Sequence, residues 1–254
     1  MSEWSASSSR VDAVLFDLGN TLVSYYRSAD FAPVLERCVA AAAEILRERP
    51  DLGAADTAAA YERALAANVE RADHRVRPLD ERLLEVFGLD ARRVPGELLA
   101  RLGDAFLGPI FATARLDASA VDVLSSIKQL GIKTAIVSNT PWGSAAGAWR
   151  AELARHGLRE RVDAVVFCVD VGWRKPAPQA FARALELLGV AAQHAWFVGD
   201  DPGWDVAGAR AAGLRPILVG PRLGEESCEQ ISTLADLVPL INEYKALEDL
   251  PRPP

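Results

Sequence analysis

A chain of 254 residues with 50% hydrophobic residues can bury a sizeable core, as one large domain or two modest ones, without disulfide staples. A formal net charge of −7, from 28 Lys and Arg against 35 Asp and Glu, argues against a general nucleic-acid binder, which needs a basic stripe to displace counterions; a small anionic substrate remains open. No run approaches the ~18 apolar residues of a membrane span. The N-terminus is polar and Ser-rich, and the cysteines (Cys38, Cys168, Cys228) are odd in number and widely spaced, so the composition predicts a soluble cytoplasmic protein.

The first element lies in VDAVLFDLGNTLVSYY, residues 11–26. Residues 13–16 have the length and composition of a buried parallel strand, and Asp17 stands where it ends, at the edge where ligands of open α/β sheets collect. Asp17 and Asn20 could equally satisfy backbone groups in a strand-to-helix turn. This stretch alone leaves both readings open.

From 24 to 115 the texture changes. Runs rich in Ala, Leu, Glu and Arg at 31–49, 57–75, 80–89 and 96–112, broken near Pro50, Pro78 and Pro95, predict helices. Strand-like alternation is scarce there, so 24–115 is expected to be an all-helical module inserted into an α/β core of 10–23 and 116–242. Residues 1–9 and 249–254 are expected to be disordered. The basic run Arg71, His74, Arg75, Arg77 reads as a solvated helix face in preference to an anion site.

Beyond residue 117, helices (118–130, 143–156, 178–188, 203–212) alternate with the strands IKTAIVSN, DAVVFCVD, AWFVGDD and RPILVG. Such alternation predicts a doubly wound, Rossmann-like parallel sheet. Its carboxyl edge then gathers Ser138, Asn139 and Thr140 from one strand, Lys175 from WRKP, and Asp200, Asp201 and Asp205 from GDDPGWD. Each has a plain explanation alone: Ser138 as a turn residue, Lys175 as a surface lysine, Asp201 as a helix cap. Together they suit phosphoryl transfer through an aspartate. Asp17 would attack phosphorus once a Mg²⁺ held by Asp17 and Asp200 neutralises the repulsion between anions, while Ser138 hydrogen-bonds a phosphoryl oxygen and Lys175 offsets its charge. No histidine is needed, and His74, His156 and His194 fall away from these strand ends.

Trp142, Trp173 and Trp204 lie close in sequence to Ser138, Lys175 and Asp205, with Tyr25 and Tyr26 near the start of the inserted segment. They either pack the loops or form an aromatic rim, in which Trp142 and Trp173 would contact substrate.

In this order the motifs resemble the haloacid dehalogenase-like hydrolase superfamily: Asp17 to Thr21, then Ser138 with Asn139, then Lys175 with Pro176, then Gly199, Asp200, Asp201 and Asp205. The resemblance implies a C1-type helical cap over 24–115 that selects substrates. It also implies a Mg²⁺ site of Asp17, the Gly19 carbonyl and Asp200 with Asp201 or Asp205 in support, and substrate contacts from Asn20, Thr21 and Asn139. The family's phosphatases usually carry a second aspartate two residues after the nucleophile, as acid and base for the leaving group. Here that residue is Gly19. The resemblance therefore implies a Mg²⁺-dependent phosphatase of small metabolites that favours good leaving groups, such as acyl or anomeric phosphates. A dehalogenase-like C–X hydrolase, whose halide departs without a proton, and a binding or regulatory protein of the same fold are the alternatives. Neither the substrate nor the oligomeric state has a signature in the sequence.

Overall fold

The computed structural model describes residues 10–53, 56–220 and 228–248; the termini expected to be disordered lie outside them. In chain order the strands are β1 (Ala13–Phe16), β2 (Val23–Ser24), β3 (Arg115–Leu116), β4 (Lys133–Ser138), β5 (Ala164–Phe167), β6 (Ala195–Gly199), β7 (Arg215–Val219) and β8 (Glu229–Ile231). Six of them form a sheet in the order β5-β4-β1-β6-β7-β8, with every pairing parallel. Both faces of such a sheet are covered, which is why β1 and β6 are apolar and buried throughout. β2 and β3 pair separately, where the chain leaves and re-enters this part of the fold.

The chain divides into two compact units, one of 10–23, 116–139 and the described residues from 153 onward, the other of Ser24–Arg115 with Thr140–Glu152. The second unit contains α1 (Phe31–Arg47), α2 (Thr57–Ala67), α3 (Leu79–Phe87) and α4 (Gly96–Phe111). α1 buries Leu35, Cys38, Val39, Ala42 and Leu46 along one stripe, the spacing of an amphipathic helix. α2 starts on the Asp56 carboxylate, which accepts the N–H groups of Ala58 and Ala59. It ends at Ala67, short of the expected 75, because the fully buried Arg82 guanidinium takes the Ala67 carbonyl at 2.8 Å and Glu70 at 2.9 Å. The basic run from Arg71 to Arg77 therefore lies on irregular chain, and the helix face read for it does not exist.

Residues 140–152 were grouped with the core on sequence, yet they pack as part of the helical unit. Trp142 adopts a left-handed backbone (φ 60°), is 4% exposed, and sets its ring 5.1 Å from that of Phe106. A Cβ at Gly143 would lie 2.1 Å from the Arg77 carbonyl oxygen, so only glycine allows this approach. Trp149 donates from Nε1 to Ser144 Oγ at 2.7 Å and meets the rings of Tyr25 and Phe111.

The remaining helices are α5 (Ala120–Gln129), α6 (Ala146–Arg155), α7 (Cys168–Val171), α8 (Gln179–Leu188), α9 (Ala207–Ala211) and α10 (Leu237–Glu248). α8 lays Ala180, Phe181, Ala184 and Leu188 on the sheet, in a cluster with Leu15, Val137, Val166 and Phe197. The strand expected to run through Asp170 stops at Phe167. There the Asp170 carboxylate accepts the Phe167 N–H at 2.9 Å and turns the chain into α7. The helix expected at 203–212 is divided into a wide turn over Pro202–Val206 and the short α9. β8 completes the sheet edge, and both it and α10 lie beyond the elements read from sequence.

Candidate active site

Register brings the site together. Phe16 pairs with Ile136 of β4 on one side and Val198 of β6 on the other, so Asp17, Ser138 and Asp200 leave the sheet at one edge. β1 is where the strand order reverses, the place at which such sheets open a crevice. The Asp17 N–H is held by the Val198 carbonyl at 2.9 Å. After it the chain makes a tight loop, in which Leu22 and Val23 both donate to the Leu18 carbonyl and Asn20 donates to that of Val23. Asn20 is left-handed (φ 57°), a backbone that asparagine tolerates. Gly19 is not left-handed, and a Cβ there would have nothing within 4 Å. The loop backbone thus imposes no need for glycine at 19.

The Lys175 ammonium is the centre of the charge arrangement. It is 2% exposed and lies 2.6 Å from Asp17 Oδ1 and 2.6 Å from Asp205 Oδ1. Burial acts to lower its pKa, but the Asp17 and Asp205 carboxylates outweigh this and raise it, so the lysine stays charged. Asp205 also accepts the Asp201 N–H at 3.1 Å. Gly199 makes room for it, since a Cβ there would lie 2.3 Å from Asp205 Oδ2. Asn139 accepts the Lys175 N–H at 2.8 Å and donates to the Lys175 carbonyl at 3.2 Å.

Ligand oxygens of Asp17, Asp200 and Asp205 lie within 4.8 Å of one another. Burial, then the charges of Asp17 and Asp205, push the Asp200 carboxyl up to about 7, against a hydrogen bond from Asn20 and the Lys175 charge that act to lower it. Asp205 is pushed up to about 6, chiefly by burial, with Lys175 opposing. A donor set of carboxylates crowded enough to resist ionisation fits a hard divalent cation such as Mg²⁺ better than Zn²⁺. Among the described residues, the side chains able to hold it are Asp17, Asp200 and Asp205, with the Gly19 carbonyl on the loop after Asp17.

The other expected residues divide. Ser138 and Thr21 are buried at this edge, and Thr21 Oγ1 has no hydrogen-bond partner among the described residues, a hydroxyl available to a ligand. Asp201 does not join the carboxylate cluster; its Oδ1 caps the N–H groups of Gly203 and Trp204, each at 2.7 Å. Trp173 is half-buried in the loop before Lys175, whereas Trp142 belongs to the helical unit. Trp204 is 47% exposed, with the Arg174 guanidinium 5.8 Å from its ring centroid. Sequence reading missed two relationships: the bond of Asp205 to Lys175 and the hold of Asn139 on the Lys175 backbone. Each joins residues at least 30 positions apart, which no local spacing reveals.

Residues 11–213 match the family described as hydrolase, haloacid dehalogenase-like hydrolase. The chain is 32% identical over 229 residues to the ribulose-1,5-bisphosphate 5-phosphatase of Halopiger xanaduensis, covering 88% of this chain and 90% of that protein. Among solved structures, a haloacid dehalogenase-type phosphatase from Thermococcus onnurineus aligns with a TM-score of 0.63 at 25% identity, over 91% of this chain and 98% of its own. A 2-haloacid dehalogenase from Pseudomonas syringae shares the fold with a TM-score of 0.61 at 23% identity, over 92% and 98%. With four motifs in order on one sheet edge and a family match across most of its length, the chain belongs to the haloacid dehalogenase-like hydrolases.

Proposed function

We propose that the protein is a Mg²⁺-dependent phosphohydrolase of a small phosphorylated metabolite, working through a phosphoryl group carried on Asp17 and favouring substrates with good leaving groups. The observation that carries this reading is the Lys175 ammonium bonded at once to Asp17 and Asp205, beside three carboxylates converging on one point. Mg²⁺, when bound, would neutralise charge on the phosphoryl oxygens and lower the repulsion facing an anionic nucleophile.

The chain's own groups do the rest. Lys175 offsets the charge of Asp17 and aims it, because a carboxylate sharing its oxygen with a buried ammonium has little freedom to turn. Asp17 Oδ attacks phosphorus as the bond to the leaving oxygen breaks, and water then hydrolyses the aspartyl phosphate. The Ser138 and Thr21 hydroxyls donate to phosphoryl oxygens. Gly19 offers no proton to the departing oxygen, hence the preference for leaving groups stable as anions. The similarity to a phosphatase of ribulose-1,5-bisphosphate supports a small phosphorylated metabolite as the substrate class. The helical unit would act as the cap that chooses it.

A metal-dependent activity screen over alkyl and aryl phosphates, acyl phosphates and 2-haloacids tests this. Phosphate release that is lost on chelation and in Asp17→Asn is the expected result. Dehalogenation that survives chelation would overturn it, and the gathering of Asp17, Asp200 and Asp205 weighs against that outcome.

A further inference from the structure

The two halves of the proposed reaction differ in what they ask of protons. With an acyl phosphate as donor, an Asp17 oxygen bonds to phosphorus while the bond from phosphorus to the departing carboxylate breaks. Nucleophile and leaving group are both carboxylates, so no proton moves. Water, in contrast, must give up a proton as it attacks the aspartyl phosphate. The ionisable groups around Asp17 are already engaged. The Lys175 ammonium bonds to Asp17 and Asp205, each at 2.6 Å. Asp205 is 2% exposed and also accepts the Asp201 N–H at 3.1 Å, while the Asp201 carboxylate caps Gly203 and Trp204. Asp200 is assigned to the cation. Position 19 has no side chain, and His194 pairs with Asp12 ahead of β1, at the opposite edge of the sheet.

We propose that Asp17 passes its phosphoryl group to carboxylate acceptors as well as to water, so that the protein is an acyl-phosphate phosphotransferase in addition to a hydrolase. The proposal rests on the phosphatase reading above and names a second class of acceptor for the same site. Its chemistry is the first step run backwards: a carboxylate oxygen bonds to phosphorus, the bond from phosphorus to Asp17 breaks, and Asp17 is released as the carboxylate it was. A path open in one direction is open in the other. An aspartyl phosphate is itself an acyl phosphate, so the bond broken and the bond formed are of one kind. The step with water lacks a base, whose help is typically worth ~10²–10⁴ in rate. The step with a carboxylate needs none.

The test is isotope exchange on the full chain with Mg²⁺: acetyl phosphate is incubated with a large excess of ¹³C-acetate, and labelled acetyl phosphate and free phosphate are followed by NMR in wild type, Asp17→Asn and Gly19→Asp. In wild type, labelled acetyl phosphate should outrun phosphate release roughly tenfold, because the missing base slows only the water step. Asp17→Asn should show neither. Gly19→Asp, which restores a carboxylate able to take the proton from water, should lower the ratio of exchange to hydrolysis at least about tenfold. Phosphate release that depends on Asp17, with less labelled acetyl phosphate than phosphate, would overturn the inference alone. Acetyl phosphate left intact, or consumed equally by Asp17→Asn, would overturn the phosphatase reading and this inference with it.

Discussion

Asn139 grips Lys175 by its backbone on both sides, accepting its N–H at 2.8 Å and donating to its carbonyl at 3.2 Å. The end of β4 thereby sets the position of the ammonium that reaches Asp17. Since a misplacement of about 1 Å in a catalytic constellation can cost on the order of 10² in rate, Asn139→Ala should lower kcat roughly ten- to hundredfold. KM should move much less, and the melting midpoint by only a few degrees, as befits roughly 1–2 kcal/mol of lost hydrogen bonding. Steady-state kinetics beside a melting curve checks this; a loss confined to KM would return Asn139 to substrate binding.

The same ammonium is a structural keystone. Lys175→Met leaves Asp17 and Asp205 buried and facing each other without their shared cation, and breaking a buried pair from one side costs roughly 3–5 kcal/mol. Urea denaturation should show a loss of this size. Adding Asp205→Asn should restore a large part of it, without restoring activity. A double variant no more stable than Lys175→Met would mean that charge pairing is not what was lost.

Protonation of the cluster gives a signed pH dependence. Asp200 stands at about 7 against an ordinary 3.8, so between those values the folded chain holds a proton that the unfolded chain releases. Stability from this group is full below that window and is lost as pH rises through it. Asp200→Asn should therefore raise the metal-free melting midpoint at pH 8, by about 2–4 °C for each kcal/mol of repulsion relieved, and raise it by much less at pH 5, low in the window. Wild-type Mg²⁺ affinity should climb over the same interval, because binding displaces the proton. Scanning fluorimetry and calorimetry at both pH values check the pair of effects; an equal gain at pH 5 and pH 8 would contradict the assigned cause.

What could be read in advance follows from how local each signal is. The strand ends were legible because an apolar run stopping abruptly at Asp17, Ser138 or Asp200 needs no distant information. The roles of Asp201 and Asp205 were not, because the wide turn over Pro202–Val206 decides which carboxylate faces Lys175 and which caps the turn. β8 escaped notice because Glu229–Ile231 offers one apolar residue, too few for a pattern. Trp142 looked like a neighbour of Ser138 by count, while its left-handed backbone turns it into the helical unit against Phe106.

Gly19 yields the sharpest chemical expectation. Without an acid at that position, acyl phosphates and nitrophenyl phosphate should react far faster than alkyl phosphates, in order of leaving-group pKa. The open space at the Gly19 Cβ and its ordinary backbone mean that Gly19→Asp places its first side-chain carbon without a clash. That variant should flatten the dependence, raising alkyl phosphate turnover most, toward the ~10²–10⁴ such catalysis supplies, while Mg²⁺ affinity stays within a few-fold. Single-turnover rates across a leaving-group series decide it. If wild type cleaves alkyl and aryl phosphates alike, another residue provides the proton, and Tyr25, Tyr26 and His74 are the next to substitute.

The packing of Trp142 also governs how the protein can be dissected. Its indole rests on Phe106 and lies 5.6 Å from the Arg82 guanidinium, and Gly143 fits against the Arg77 carbonyl, all within one unit assembled from two stretches of chain. Excising 24–115 as a cassette would therefore strand an indole and a glycine turn shaped for a surface no longer there. A minimal α/β fragment needs the 140–152 segment redesigned together with the deletion, and a helical unit transplanted from a relative must bring its own counterpart of that segment.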